Sequence, residues 1–254
     1  MELFDSHAHY NDEKFEEDRE ALIKEIYNFG VTGIVNAGYS LQSSKKALEI
    51  AKNFEFMYTT SGISPNDIED FQEEHLKEIE ELAQNKKCVA IGEIGLDYYW
   101  NKENKELQKK VFIDQIEIAN RLNLPIVIHT REAIYDTLEI LKTNECINKG
   151  VFHCCPLNVD LVREGLKLGF YISFAGPCTF KNSKNADEII KMVPENRILI
   201  ETDSPYLSPE PLRGTRNDSS NVKFIAEKIA KVKEVKVEEI AKITYNNAKK
   251  IFKI

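Results

Sequence analysis

Asp5-Ser6-His7-Ala8-His9 follows directly on the apolar pair Leu3-Phe4. The whole run reads as a first β-strand that ends in two histidines. Side chains two apart on a strand share a face, so His7 and His9 point the same way, with Asp5 behind them. Two imidazoles at one strand end hold a divalent ion only if other strands deliver further ligands. H-x-H alone recurs by chance. The fold is therefore decided by what ends the strands that follow.

Short apolar runs recur along the chain, at 3–7, 33–37, 57–62, 89–93, 126–129, 151–154, 170–174 and 198–202. Longer amphipathic segments separate them. Residues 13–29 carry Phe15, Leu22, Ile23, Ile26 and Phe29 at helical spacing, and 103–122 carry Leu107, Val111, Phe112, Ile116, Ala119 and Leu122. Further helices are expected near 42–53, 67–85, 132–142, 158–168 and 184–193, with two more over 219–253. Strand and helix alternating in eight units of about 30 residues is the pattern of a (β/α)8 TIM barrel. A doubly wound open sheet is the alternative. No Pro/Gly/Ser-rich linker or charge block divides the chain, so residues 1–254 read as one domain.

The composition fits that reading and excludes others. A chain of 254 residues matches the usual length of a one-domain barrel. The net charge of −8 offers no broad basic footprint, so a nucleic acid would be held at a local site. Cys88, Cys146, Cys154, Cys155 and Cys178 are odd in number and form no C-x-x-C. That argues against a disulfide framework or thiolate zinc site and for a reducing cytoplasm. No apolar run approaches the ~18 residues of a membrane span, and no signal peptide is evident. A cytoplasmic monomer is expected.

Active-site groups of a barrel lie at the C-terminal ends of its strands. Here those ends read His7-x-His9, Gly92-Glu93-Ile94-Gly95-Leu96-Asp97-Tyr98, His129-Thr130-Arg131-Glu132, His153-Cys154 and Glu201-Thr202-Asp203-Ser204-Pro205. Strict alternation would put Val89, Ile91 and Glu93 on one face, likewise Val127, His129 and Arg131, and Val151 and His153. The apolar members would then fill the barrel and the polar ones crown it. Singly, His153 could be a core histidine and Glu93 half of a buried ion pair. Together, four histidines and two carboxylates on one rim would stand desolvated without a metal. They also exceed what one tetrahedral ion needs, so two ions are expected. Glu93 would bridge them, one oxygen to each. His7, His9, Glu93 and Asp203 would form one site, and Glu93, His129 and His153 the other. Asp203 would accept the proton of the attacking water.

This constellation resembles the TatD family of metal-dependent deoxyribonucleases, within the amidohydrolase-like barrel hydrolases. The likeness spans nearly the whole chain: D-S-H-A-H, G-E-I-G-L-D-Y, H-T-R-E-A, V-F-H-C, I-E-T-D-S-P-Y-L, L-R-G-x-R-N and T-Y-N-N-A-K-K-I-F. It implies metal ligands at His7, His9, Glu93, His129, His153 and Asp203. It also implies hydrolysis of DNA phosphodiester bonds, often as a 3′–5′ exonuclease, with Mg2+ or a similar ion. Mg2+ or Mn2+ is expected in turnover; the histidines would also take Zn2+. Three loops depart from the family pattern. Gly62-Ile63-Ser64-Pro65 replaces G-x-H-P, Cys154-Cys155-Pro156-Leu157 follows His153, and Arg216-Asn217-Asp218-Ser219-Ser220-Asn221 lacks a proline.

Around the rim, Arg131 is placed to fork onto a phosphate. Arg213 and Arg216 either do the same or lie in solvent. Asp97 is expected to lock its own loop, and Glu201 to stand behind the ligands. Tyr98, Tyr99 and Trp100 either stack a terminal base or pack the rim. The same rim would also serve a metal-dependent amidase or esterase, such as an aminoacyl-tRNA deacylase. Glu93 stands where many amidohydrolases carry a lysine, which favours phosphoesters.

Overall fold

All eight expected strands are present in a computed structural model, which describes residues 1–254. They are β1 (Leu3–Ala8), β2 (Val31–Asn36), β3 (Met57–Ser61), β4 (Cys88–Asp97), β5 (Ile126–Arg131), β6 (Gly150–Phe152), β7 (Tyr171–Phe174) and β8 (Ile198–Ile200). They form one parallel sheet in sequence order, which excludes the doubly wound alternative, where the order reverses. The sheet closes nearly completely on itself. The Asp203 N–H donates to the His7 carbonyl at 2.9 Å and the His9 N–H to the Ser204 carbonyl at 2.7 Å.

The helices follow as α1 (Arg19–Asn28), α2 (Leu41–Lys52), α3 (Glu73–Ala83), α4 (Lys105–Arg121), α5 (Ile134–Thr143), α6 (Val159–Lys167), α7 (Ala186–Met192), α8 (Val222–Lys233) and α9 (Val237–Phe252). Two start later than periodicity suggests. Residues 13–15 form a separate 3-10 turn capped by the Asp12 side chain. Another 3-10 turn occupies Pro65–Asp67, capped by Ser64, so α3 cannot begin at 67.

The barrel is filled by apolar side chains from every strand, β4 giving both Val89 and Ala90. Phe4, Val35, Val89, Val127, Val151, Tyr171 and Leu199 form a buried cluster against which Tyr58 of β3 packs. Ala248, Ile251 and Phe252 of α9 belong to it too, with Phe252 stacked on Phe4 at 6.4 Å. The Asn247 amide donates to the carbonyls of Glu195 and Ile198, fixing α9 at the start of β8. One end of the barrel is thus sealed with hydrocarbon, where a buried Phe contributes about 1.5–3 kcal/mol. Polar groups are left to the other end. A second, larger cluster fills the layer between strands and helices.

Simple alternation fails in β4. Ile91 pairs with Ile126 and sits with it in the outer layer, not beside Val89 inside. The register against β5 then shifts between Ile91 and Ile94. That extra residue returns Glu93 to the interior, as a bulge re-aims a side chain. Gly95 follows at φ +140°, and a Cβ there would lie 2.0 Å from the His129 carbonyl oxygen. Only glycine lets β4 run this close to β5, setting Glu93 beside His129. No helix is long and apolar enough to cross a membrane.

Candidate metal centre

At the open end, the six expected ligands converge around Glu93. Its Oε2 lies 3.5 Å from His7 Nε2 and 3.8 Å from His9 Nε2. Its Oε1 lies 3.0 Å from His129 Nδ1 and 3.4 Å from His153 Nε2. The two oxygens therefore serve two different histidine pairs. Asp203 Oδ1 is 3.2 Å from His9 Nε2 and 3.7 Å from His7 Nε2. Within each pair the ring nitrogens face each other, at 3.1 Å for His7 and His9 and 3.3 Å for His129 and His153.

The separations within each histidine pair, from Glu93 Oε1 to His129 and His153 and from Asp203 to His9 suit ligands of one ion, while Glu93 Oε2 to His7 and His9 and Asp203 to His7 are a few tenths of an ångström longer. Donors about 2.1 Å from one cation stand roughly 3.0–3.4 Å apart at tetrahedral or octahedral angles. The grouping His7–His9–Glu93 and the grouping Glu93–His129–His153 each fit divalent metal binding. His7, His153 and Asp203 form a third grouping that ties the two together, with the His7 and His153 rings stacked at 4.0 Å.

The nitrogens turned away from the centre are mostly tied. His9 Nδ1 lies 3.1 Å from the Ala37 carbonyl oxygen, His129 Nε2 is 2.9 Å from Asp97 Oδ2, and His153 Nδ1 is 3.3 Å from Glu201 Oε1. Each contact places the ring proton on the outer nitrogen and leaves the inner one free to ligate. His7 Nδ1 alone has no partner. Burial opposes charge on Glu93, yet His153, His129 and His7 hold its carboxyl well below the usual range, so it is ionised at neutral pH. Against burial, Glu93 and Glu201 raise His153 well above its ordinary value.

The chain positions these groups by joining its two ends. Asp5 is fully buried. Its carboxylate accepts from the Thr202 N–H at 2.9 Å, the Thr202 hydroxyl at 2.5 Å and the Ser219 hydroxyl at 2.6 Å. Burial pushes this carboxyl up to about 7 while those bonds oppose the rise. The Asn217 amide donates to the Thr202 and Tyr206 carbonyls at 2.9 and 2.7 Å, clasping the loop that carries Asp203. Asp203 itself takes a left-handed φ of +57°, a conformation a non-glycine residue holds only where its surroundings enforce it. His153 and Asp203 lie just beyond β6 and β8, which end earlier than expected, at Phe152 and Ile200.

A cavity of about 780 Å3 opens onto the centre, and its lining includes Tyr39, Asp67, Trp100, Arg131 and Tyr206. Arg131 stands where the sequence puts it. Arg213 and Arg216 do not: neither lines the cavity. Arg216 forks onto Asp18 and donates to the Lys14 carbonyl, and Arg213 covers the Phe180 ring. Of the two alternatives for these arginines, contacts within the loop rather than a place in the cavity are what the structure shows. Asp97 does lock its loop, accepting the Tyr99 and Trp100 N–H groups at 2.9 Å; its second contact, to His129, is not evident from spacing. Tyr98 is buried and donates to Asp136, so it belongs to packing.

Asp67 is a lining residue that sequence reasoning missed, because it lies beyond the end of β3 in the following 3-10 turn. Burial, then the charge on Glu93, pushes its carboxyl up from 3.8 to about 6. The folded value exceeds the unfolded one, so the unfolded chain loses this proton first. The associated stability is complete below pH ~4 and is lost as pH rises through ~6. Asp67→Asn, measured by thermal melting of chelated protein, should match wild type at pH 4. It should gain on the order of 1 kcal/mol at pH 7.5, a figure discounted for partial exposure. Equal shifts at both pH values would refute this.

A barrel whose strand ends gather histidines and carboxylates suited to divalent ions defines a metal-dependent hydrolase. More narrowly, the family described as TatD related DNase matches residues 4–253, and the chain belongs to that family. It is 46% identical over 254 residues to the uncharacterized metal-dependent hydrolase YabD of Bacillus subtilis, covering 99% of each. It is 34% identical over 255 residues to the uncharacterized metal-dependent hydrolase MJ1582 of Methanocaldococcus jannaschii, covering 100% of this chain and 98% of the relative. The crystal structure of YJJV, a TatD homolog from Escherichia coli K12, superposes with a TM-score of 0.94 at 24% identity, over 99% of this chain and 98% of the other. That of a TatD family hydrolase from Entamoeba histolytica gives 0.89 at 25%, over 98% of each.

Proposed function

We propose that this protein hydrolyses DNA phosphodiester bonds, removing nucleotides from a 3′ end. His7, His9, Glu93 and Asp203 would hold one divalent ion and Glu93, His129 and His153 a second. The observation that carries the reading is the division of the Glu93 carboxylate, one oxygen toward each histidine pair. Bound there, the ions supply Lewis acidity on both sides of a phosphodiester and a lowered pKa for water. The protein groups do the rest. Asp203 Oδ1 is committed to the histidines, and its other oxygen accepts the proton of the attacking water. Arg131 brings a fork of N–H donors to the non-bridging phosphate oxygens. Glu201 and Asp97 keep His153 and His129 in their ligating tautomers.

The test is an assay on 3′-end-labelled single-stranded DNA beside aminoacyl-tRNA and a carboxylic ester. Chelation with EDTA should silence release of nucleotides, and Mg2+ or Mn2+ should restore it. Turnover that survives chelation would overturn the metal assignment. Turnover confined to the aminoacyl ester would overturn the phosphodiester assignment in favour of a deacylase.

A further inference from the structure

The loop after β4 carries two exposed aromatic rings that the hydrolytic centre does not use. Trp100 is 67% exposed and Tyr99 41%, with their rings edge to face at 4.7 Å. Leaving an indole in water forgoes a large burial gain, yet Trp100 lines the same cavity as Glu93 and His129. Beside it, the Arg131 guanidinium lies 4.0 Å from the centre of the Tyr99 ring and 5.4 Å from that of Trp100. A guanidinium lying on one ring keeps its in-plane N–H groups free for a phosphate. Tyr99 lies nearer to Arg131 than Trp100 does, and most of the indole surface stays uncovered.

This loop is tied to the centre. One carboxylate, Asp97, accepts the N–H groups of Tyr99 and Trp100 through Oδ1 and contacts His129 Nε2 through Oδ2, all at 2.9 Å. Gln108 closes the loop from behind, accepting from the Asp97 N–H and donating to the Asp97 and Asn101 carbonyls. The main chain that carries the indole is therefore held in a set relation to the imidazole that faces Glu93. Such a tie serves a ligand that reaches both places at once.

We propose that Trp100 is a stacking subsite for the nucleobase of an unpaired terminal nucleotide, whose phosphate meanwhile lies at Arg131 and the metal centre. This rests on the phosphodiesterase reading and adds the part of the substrate that selects it. An unpaired base offers a free π-face, and aromatic stacking of this kind tolerates any base. A base inside a duplex has both faces covered and would have to fray first.

Trp100 is the only tryptophan in the chain, so its emission reports on the subsite directly. The metal-loaded protein titrated with deoxyadenosine monophosphate should show saturable quenching. Deoxyribose 5-phosphate, which lacks the base, should not quench it. In kinetics, Trp100→Ala should raise KM on single-stranded DNA roughly five- to a hundredfold, and Trp100→Phe should recover most of that loss. A strand ending in an abasic nucleotide should be cut equally by wild type and Trp100→Ala. Equal quenching by both phosphates, or an alanine variant that handles base-bearing ends like wild type, would overturn the subsite. Saturable, base-dependent quenching in a protein that cuts no DNA would uphold the subsite and overturn the proposed reaction.

Discussion

Glu93→Gln is expected to cut hydrolytic turnover by about a thousandfold or more, equivalent to some 4 kcal/mol of transition-state stabilisation. Metal content should fall with it. The substitution keeps the volume and removes one oxygen. In the wild type, Oε1 meets His129 and His153 while Oε2 meets His7 and His9. An amide presents a carbonyl to one pair and an NH2 group to the other, and the NH2 nitrogen has no lone pair to offer a metal. One histidine pair is left without its anion whichever way the amide turns. Elemental analysis and the end-labelled assay, with circular dichroism to show an intact fold, measure the two effects. Wild-type turnover, or unchanged metal content, would refute the bridging role.

Glu93 also marks how far the sequence can be read. The barrel was legible because its signals are local: period-two runs, helical spacing between them, and polar residues where each run stops. Seven strands place side chains in the buried cluster, Val127 and Val151 among them as alternation predicts, and β4 gives both Val89 and Ala90. In β4 alternation alone would have turned Glu93 wrongly once Ile91 faced outward, and the register shift restores it. A one-residue shift of this kind depends on the neighbouring strand, and no residue in Gly92-Glu93-Ile94 announces it. Arg216 shows the same limit in a side chain. Its partner Asp18 lies 198 positions away, brought near only when the last loop folds over the start of α1. Asp67 escaped because it lies past its strand end, in the 3-10 turn Pro65–Asp67 rather than on the run itself. Composition and motif order reach ligand types; partner choice between distant segments belongs to the closed barrel.

Asp203→Asn separates holding an ion from moving a proton. This variant should lower kcat by about a hundred- to ten-thousandfold, the range expected for losing a general base, with KM little changed. Most of the metal should remain, because His7, His9 and Glu93 still face one another and an amide oxygen can replace Oδ1. The backbone should hold its place as well. The Asp203 N–H donates to the His7 carbonyl and its carbonyl accepts from Tyr206, contacts that no change of side chain removes. Asparagine also tolerates the left-handed φ of +57° found here better than most residues. What the variant lacks is a basic oxygen beside the water. Excess Mn2+ should therefore fail to rescue it, whereas a defect confined to affinity would be rescued. Full recovery at high metal concentration would make Asp203 a ligand only, and the proton would then have to leave through another group on the rim.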